Sequence, residues 1–127
     1  MSIAALQFIS NELDALNINY QFGEWTTDPV PDPYFVGEYT ESDSLTKDED
    51  GLQEITFMLT GTGTTWIALE EAKSKIEGNF MKTAILPNGN GIAVFYSGAL
   101  IVPTGDADLK RIQINLTIKE WRVNTNE

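Results

Sequence analysis

Cysteine and histidine are both missing from this 127-residue sequence, and each absence removes a block of chemistry. Without cysteine there is no disulfide framework and no thiolate nucleophile or metal ligand. Without histidine there is no imidazole general base and no zinc site of the usual ligands. The lack of cysteine fits a reducing compartment, and it fits equally any setting where no disulfide is needed. Bases are scarce too: eight Lys and Arg stand against 19 Asp and Glu, a formal charge of -11 with a pI near 4.2. That sign of charge disfavours binding driven by counterion release from nucleic-acid phosphates, and it disfavours anionic membrane surfaces. No apolar run approaches membrane-spanning length, and residues 1–20 hold neither a basic leader nor an unbroken apolar stretch. The expectation is a soluble chain, made without a cleaved signal, with no membrane partner.

What is present suffices for a core. The 42% hydrophobic fraction, with three Trp, four Tyr and six Phe, exceeds what disordered chains carry. The length fits a single domain, 1–127. Charge is divided unevenly along it. Residues 1–51 carry Glu12, Asp14, Glu24, Asp28, Asp32, Glu38, Glu41, Asp43, Asp48, Glu49 and Asp50 against Lys47 alone, whereas residues 52–127 carry eight acids and seven bases. Scattered solubilising charge would not segregate in this way, so the first part of the chain holds nearly all the field.

Periodicity sets the element order. Leu6, Ile9, Leu13 and Leu16 recur at helical spacing and predict a helix over 3–16 capped by Ser2. A short extended piece, 19–22, precedes a proline-rich arm, 23–33, in which Pro29, Pro31 and Pro33 exclude a helix and a central strand. Residues 34–40 read as a strand and 41–51 as an acidic loop. Ile55, Phe57 and Leu59 alternate with polar residues and predict a half-buried strand over 54–60. Thr65 is placed to cap a helix with the stripe Leu69, Ala72, Ile76 and Phe80, ended by Gly78 and Asn79. The 87–91 turn signal joins a short strand near 83–86 to one over 92–102. The last strand, 111–123, turns Ile112, Ile114, Leu116 and Ile118 inward. At its end the polarity pattern breaks, with Glu at 120 and apolar Trp121 and Val123 on the other face, so a bulge or an overrun past the core is expected there. The fold class is α+β, a mostly antiparallel sheet with two helices packed on it, in the order α-β-β-α-(β)-β-β.

Motifs that carry chemistry fit poorly. Gly61-Thr62-Gly63-Thr64-Thr65 sits between strand and helix but lacks the third glycine of a dinucleotide site and the Gly-Lys-Ser/Thr of a P-loop, so it reads as a plain turn. Ser44-Leu45-Thr46-Lys47 has serine acyl-enzyme spacing without the further motifs of that class. Asp48-Glu49-Asp50-Gly51 fails as a calcium loop, because the twelfth position would be Phe57 and the first Thr46. A carboxylate pair could run glycoside hydrolysis, but no pair is marked by an apolar setting. Asn115-Leu116-Thr117 falls inside a strand and reads as an accidental acceptor motif. No cofactor, metal or catalytic residue is expected. Trp25, in the proline-rich arm, and Trp121, at the pattern break, stand where aromatics serve as interface anchors.

The arm through Trp25, Pro33-Tyr34-Phe35-Val36-Gly37-Glu38-Tyr39, the step at Asp50-Gly51 into Ile55-Thr56-Phe57-Met58-Leu59-Thr60-Gly61, the Trp66-led helix and the closing strand through Lys119-Glu120-Trp121-Arg122-Val123 resemble the tail-terminator or tail-completion proteins of long-tailed phages. The likeness spans most of the chain. It implies a non-enzymatic hexameric ring in the virion, made in the bacterial cytoplasm, that caps the major tail tube protein and faces a head-closure or connector protein. On that resemblance Trp25, Tyr34, Phe35 and Trp121 are candidate interface residues. Glu41, Asp43, Asp48, Glu49 and Asp50 are candidate lumen acids that keep passing DNA from adhering, with no sequence-specific nucleic-acid binding. Rival readings are another head-tail joining, head-closure or tube component, or an acidic DNA mimic of the inhibitor or immunity type.

Overall fold

The first helix is fixed at both ends by local hydrogen bonds. In the computed structural model, which describes residues 1–43 and 52–122, the Ser2 hydroxyl accepts from the Ala5 amide at 3.1 Å and caps α1, Ile3–Ala15. At the other end Asn17 takes a left-handed φ of 61°. This lets the Ile18 amide reach the Leu13 carbonyl (3.0 Å) and the Asn17 amide reach that of Asp14 (2.9 Å), which satisfies carbonyls the helix leaves open. Ala5, Ile9 and Leu13 form the buried stripe.

The remaining elements are β1, Tyr20–Phe22; β2, Tyr34–Asp43; β3, Gln53–Gly63; α2, Trp66–Asn79; β4, Met81–Ile85; β5, Gly91–Ile101; and β6, Lys110–Trp121. The class is α+β, as expected, with two helices on a six-stranded, mostly antiparallel sheet ordered β1-β2-β3-β6-β5-β4. The element order needs correcting to α-β-β-β-α-β-β-β. The extended piece at 19–22 contains a true strand, which pairs parallel with β2 from Tyr20↔Phe35 to Phe22↔Gly37. The bracketed strand β4 is also real and pairs with β5.

One apolar core joins both helices to one face of the sheet. Ile55, Phe57 and Leu59 of β3 and Ile112, Ile114, Leu116 and Ile118 of β6 meet Ile9 and Leu13 of α1 and Leu69, Ala72 and Ile76 of α2. Each such side chain, fully buried, is worth about 1.5–3 kcal/mol relative to exposure. The Thr65 hydroxyl caps α2 by accepting from the Ala68 amide at 3.2 Å, as its position in sequence predicts.

Gly61 and Gly63 are not part of the turn before α2; they complete β3. Their lack of a side chain is what allows the packing. A Cβ at Gly61 would stand 2.2 Å from Phe35 Cε2, and one at Gly63 would stand 2.9 Å from Asp32 Oδ1. Phe35 is 1% exposed, so its ring has no room to retreat. Gly61→Ala should therefore cost about 1–3 kcal/mol through overpacking. Gly78→Ala, near the end of α2 with nothing within 4 Å, should be neutral or stabilising by up to about 1 kcal/mol. Urea unfolding of the two variants at neutral pH should separate them in these opposite directions.

Candidate interaction surfaces

The proline-rich arm is held by its own polar groups. The Gln21 carboxamide accepts from the Thr26 amide (2.9 Å) and hydroxyl (3.1 Å) and donates to the Thr27 hydroxyl (3.0 Å). Asp32 accepts from the Thr64 amide at 3.0 Å, and the Asn19 side chain donates to the Pro33 carbonyl at 2.9 Å. The Asp28–Pro29 and Asp32–Pro33 peptides are cis. Trp25 is half-buried: its ring lies 5.5 Å from that of Tyr34, and its indole N–H donates to the Thr27 carbonyl at 2.9 Å. The arm thus lies beside β1, the short strand at one margin of the sheet, and exposes Val30 at 50%.

At the end of β6 the register shows no break. Glu120 stands opposite Gln53 in the continuous β3–β6 ladder and opposite Ile92 of β5, whose register shift lies away from it between Tyr96 and Gly98, and it continues the inward row of Ile112 to Ile118 with 3% exposure. Through Trp121 the expected bulge is absent among the described residues, because this carboxylate has its own partners; Val123 lies outside the described residues. It accepts from the Ser2 amide at 3.0 Å and from the Asn90 carboxamide at 2.8 Å, and it lies at the positive, N-terminal end of α1. Burial pushes the Glu120 carboxyl up, but the Ser2 and Asn90 hydrogen bonds and the Met1 ammonium outweigh it and hold the group below the ordinary glutamate range. The Met1 ammonium in turn pairs with Glu41 and donates to the Gln53 side chain at 2.9 Å. Trp121 points to the opposite, helix-free face, where its indole covers Gly91; a Cβ there would meet it at 2.3 Å.

The candidate residues therefore divide. Trp25, Tyr34 and Trp121 are all partly exposed, but they lie apart: the first two sit at the β1 margin and Trp121 lies over Gly91 of β5. Phe35 is corrected to a core residue, because β2 turns it inward over Gly61. Glu41 and Asp43 belong to β2 rather than to a loop, since they pair with Ile55 and Gln53 of β3. Glu41 is occupied by the N-terminal ammonium. Asp48, Glu49 and Asp50 lie outside the described residues.

Composition alone did not single out the exposed apolar side chains. Ile3 is 85% exposed, Met81 81%, Ile67 72%, Ile85 69% and Ile101 64%. Trp66, at the first turn of α2, is exposed and lines a largely apolar hollow of about 380 Å³ with Ile101, Val102, Pro103 and Leu109. Ile3 and Ile67 lie in the first turns of the helices and Met81, Ile85 and Ile101 at strand ends, where no periodic signal marks a side chain as exposed. Comparison with protein-family models and with curated proteins gives no match.

A pH dependence follows from the depressed carboxyls. Glu12 is also held low, mainly by the hydrogen bond from Lys82 at 2.6 Å. A group whose folded value lies below its unfolded one adds stability above the unfolded value, near 4.5, and loses it as pH falls through the folded value. Glu120→Gln should flatten that acid slope in urea midpoints measured from pH 7 to pH 3. Glu120→Ala, which leaves the Ser2 and Asn90 donors unpaired, should cost about 1–3 kcal/mol at pH 7.

Proposed function

We propose that this chain is a structural virion subunit of a hexameric ring that ends a phage tail tube and joins it to the head-side connector. The observation that carries the reading is the exposed apolar surface. Met81 and Ile85 on β4, Ile3 on α1, Ile67 on α2 and Ile101 beside the Trp66 hollow are each more than three-fifths exposed. Exposed apolar side chains in several distinct places suit a ring subunit, which needs separate surfaces for two neighbours, a tube and a connector. The sheet is compatible with the same reading, since both helices cover one face and leave the other open. The surplus of acid suits a passage for DNA, because like charge keeps a duplex from adhering.

The acid-rich segment 17–43, with Glu24, Asp28, Asp32, Glu38, Glu41 and Asp43 and no base, also favours a second reading, a DNA mimic that occupies the cleft of a basic protein. The two differ in assembly. Native mass spectrometry and electron microscopy of the purified chain mixed with tail tubes should show closed rings of six seated on tube ends. A chain that stays monomeric with tubes, yet binds a basic partner with steep salt dependence, would support the mimic and reject the ring.

A further inference from the structure

The two margins of the sheet are chemically unlike. At one, β4 has β5 on one side and no strand among the described residues on the other, and Met81 and Ile85 project from it almost uncovered. Edge strands of soluble proteins are usually blunted by an outward lysine, a proline or a bulge. β4 has no proline, and its lysine, Lys82, is drawn toward the helices by Glu12 (2.6 Å) and Asn79 (3.2 Å). The surrounding stretch, residues 78–105, contains no Asp or Glu and only Lys82 as a base. Inward from this margin on the helix-free face stands Lys119, opposite Ala93, which is itself opposite Thr83. The other margin, β1 with the arm and β2, is formed from the segment 17–43, which has six acids and no base.

We infer that the β4 margin is the docking surface for the arm, residues 23–33, of a second copy of this chain, an inference that deepens the ring reading by assigning its subunit contact. Copies that each carry a charge of -11 repel over most of their surface. The acid-free stretch is where an acidic arm meets the least like-charge opposition, since the two lysines near it, Lys82 and Lys119, already face Glu12 and Glu54 of their own chain and leave it close to neutral. The apolar contact also matches: Val30, 50% exposed between Pro29 and Pro31, faces outward as Met81 and Ile85 do. Because the two surfaces sit at opposite margins of one sheet, each copy offers one and receives the other. Such a head-to-tail contact propagates and closes into a ring when its rotation allows.

The test uses two full-length variants, Met81→Ser with Ile85→Ser and Glu24→Lys with Asp28→Lys, at positions exposed enough to leave folding intact, which thermal unfolding verifies. Sedimentation velocity at high concentration should show wild-type self-association weakened about tenfold or more in each variant alone. An equimolar mixture should form a one-to-one heterodimer and stop there, because it retains a single intact pair of surfaces. Variants that assemble like wild type, a mixture that stays monomeric, or an arm variant that dimerises through β4 alone would each overturn the inference. Closed wild-type rings unaffected by both pairs of substitutions would overturn it while leaving the ring reading standing. Open chains sensitive to both would uphold the contact and overturn the ring.

Discussion

The β3–β6 ladder is the constraint on which everything else in this molecule rests. From Gln53↔Glu120 to Gly63↔Lys110 the two strands stay in register, and a shift of one residue would turn every apolar side chain to the other face. That register gives one face made of Ile55, Phe57 and Leu59 against Ile118, Leu116 and Ile114. Both helices are spent covering it. The opposite face, with Glu54, Thr56, Gln113, Asn115 and Thr117, can remain in water, and so the sheet ends at two margins with no helix left to shield them.

A second consequence is the fate of Glu120. The ladder obliges position 120 to point inward, where an unpaired carboxylate would be costly to desolvate. The start of α1 solves this by bringing the Ser2 amide and the Met1 ammonium over the end of β6, while Asn90 reaches in from before β5. One buried acid therefore ties together the first helix, the last strand and the 87–91 turn, which are distant in sequence. Glu41 and Gln53 complete the cluster from β2 and β3.

Much of this architecture is legible in the sequence, because helix stripes and strand alternation are local. Ser2 and Thr65 cap where their positions predict, and the inward rows of β3 and β6 fall on the expected residues. What was not legible depends on partners remote in the chain. Tyr20–Phe22 is too short to announce a strand and exists because Phe35–Gly37 lies beside it. Glu120 breaks a polarity pattern without breaking the register, a distinction that only its donors reveal. Phe35 looks like a surface aromatic beside the prolines until Gly61 is seen to make room for it. For the surfaces, the unusual settings of Trp25 and Trp121 stand out in the sequence. Trp66, Met81 and Ile85 sit inside ordinary element patterns, and their exposure appears only when the sheet margins are known.

The unlike margins of one sheet are the surfaces inferred above to join successive copies. Because the chain has no cysteine, this joining can be tested directly by placing two: Val30→Cys in the arm and Ile85→Cys on β4 in the same chain. Mild oxidation of the concentrated protein should give a denaturing-gel ladder of covalent oligomers that ends at a closed hexamer, with mass-spectrometric peptides linking position 30 to position 85. Cross-links found only between like positions, or monomers alone, would contradict head-to-tail joining through these margins.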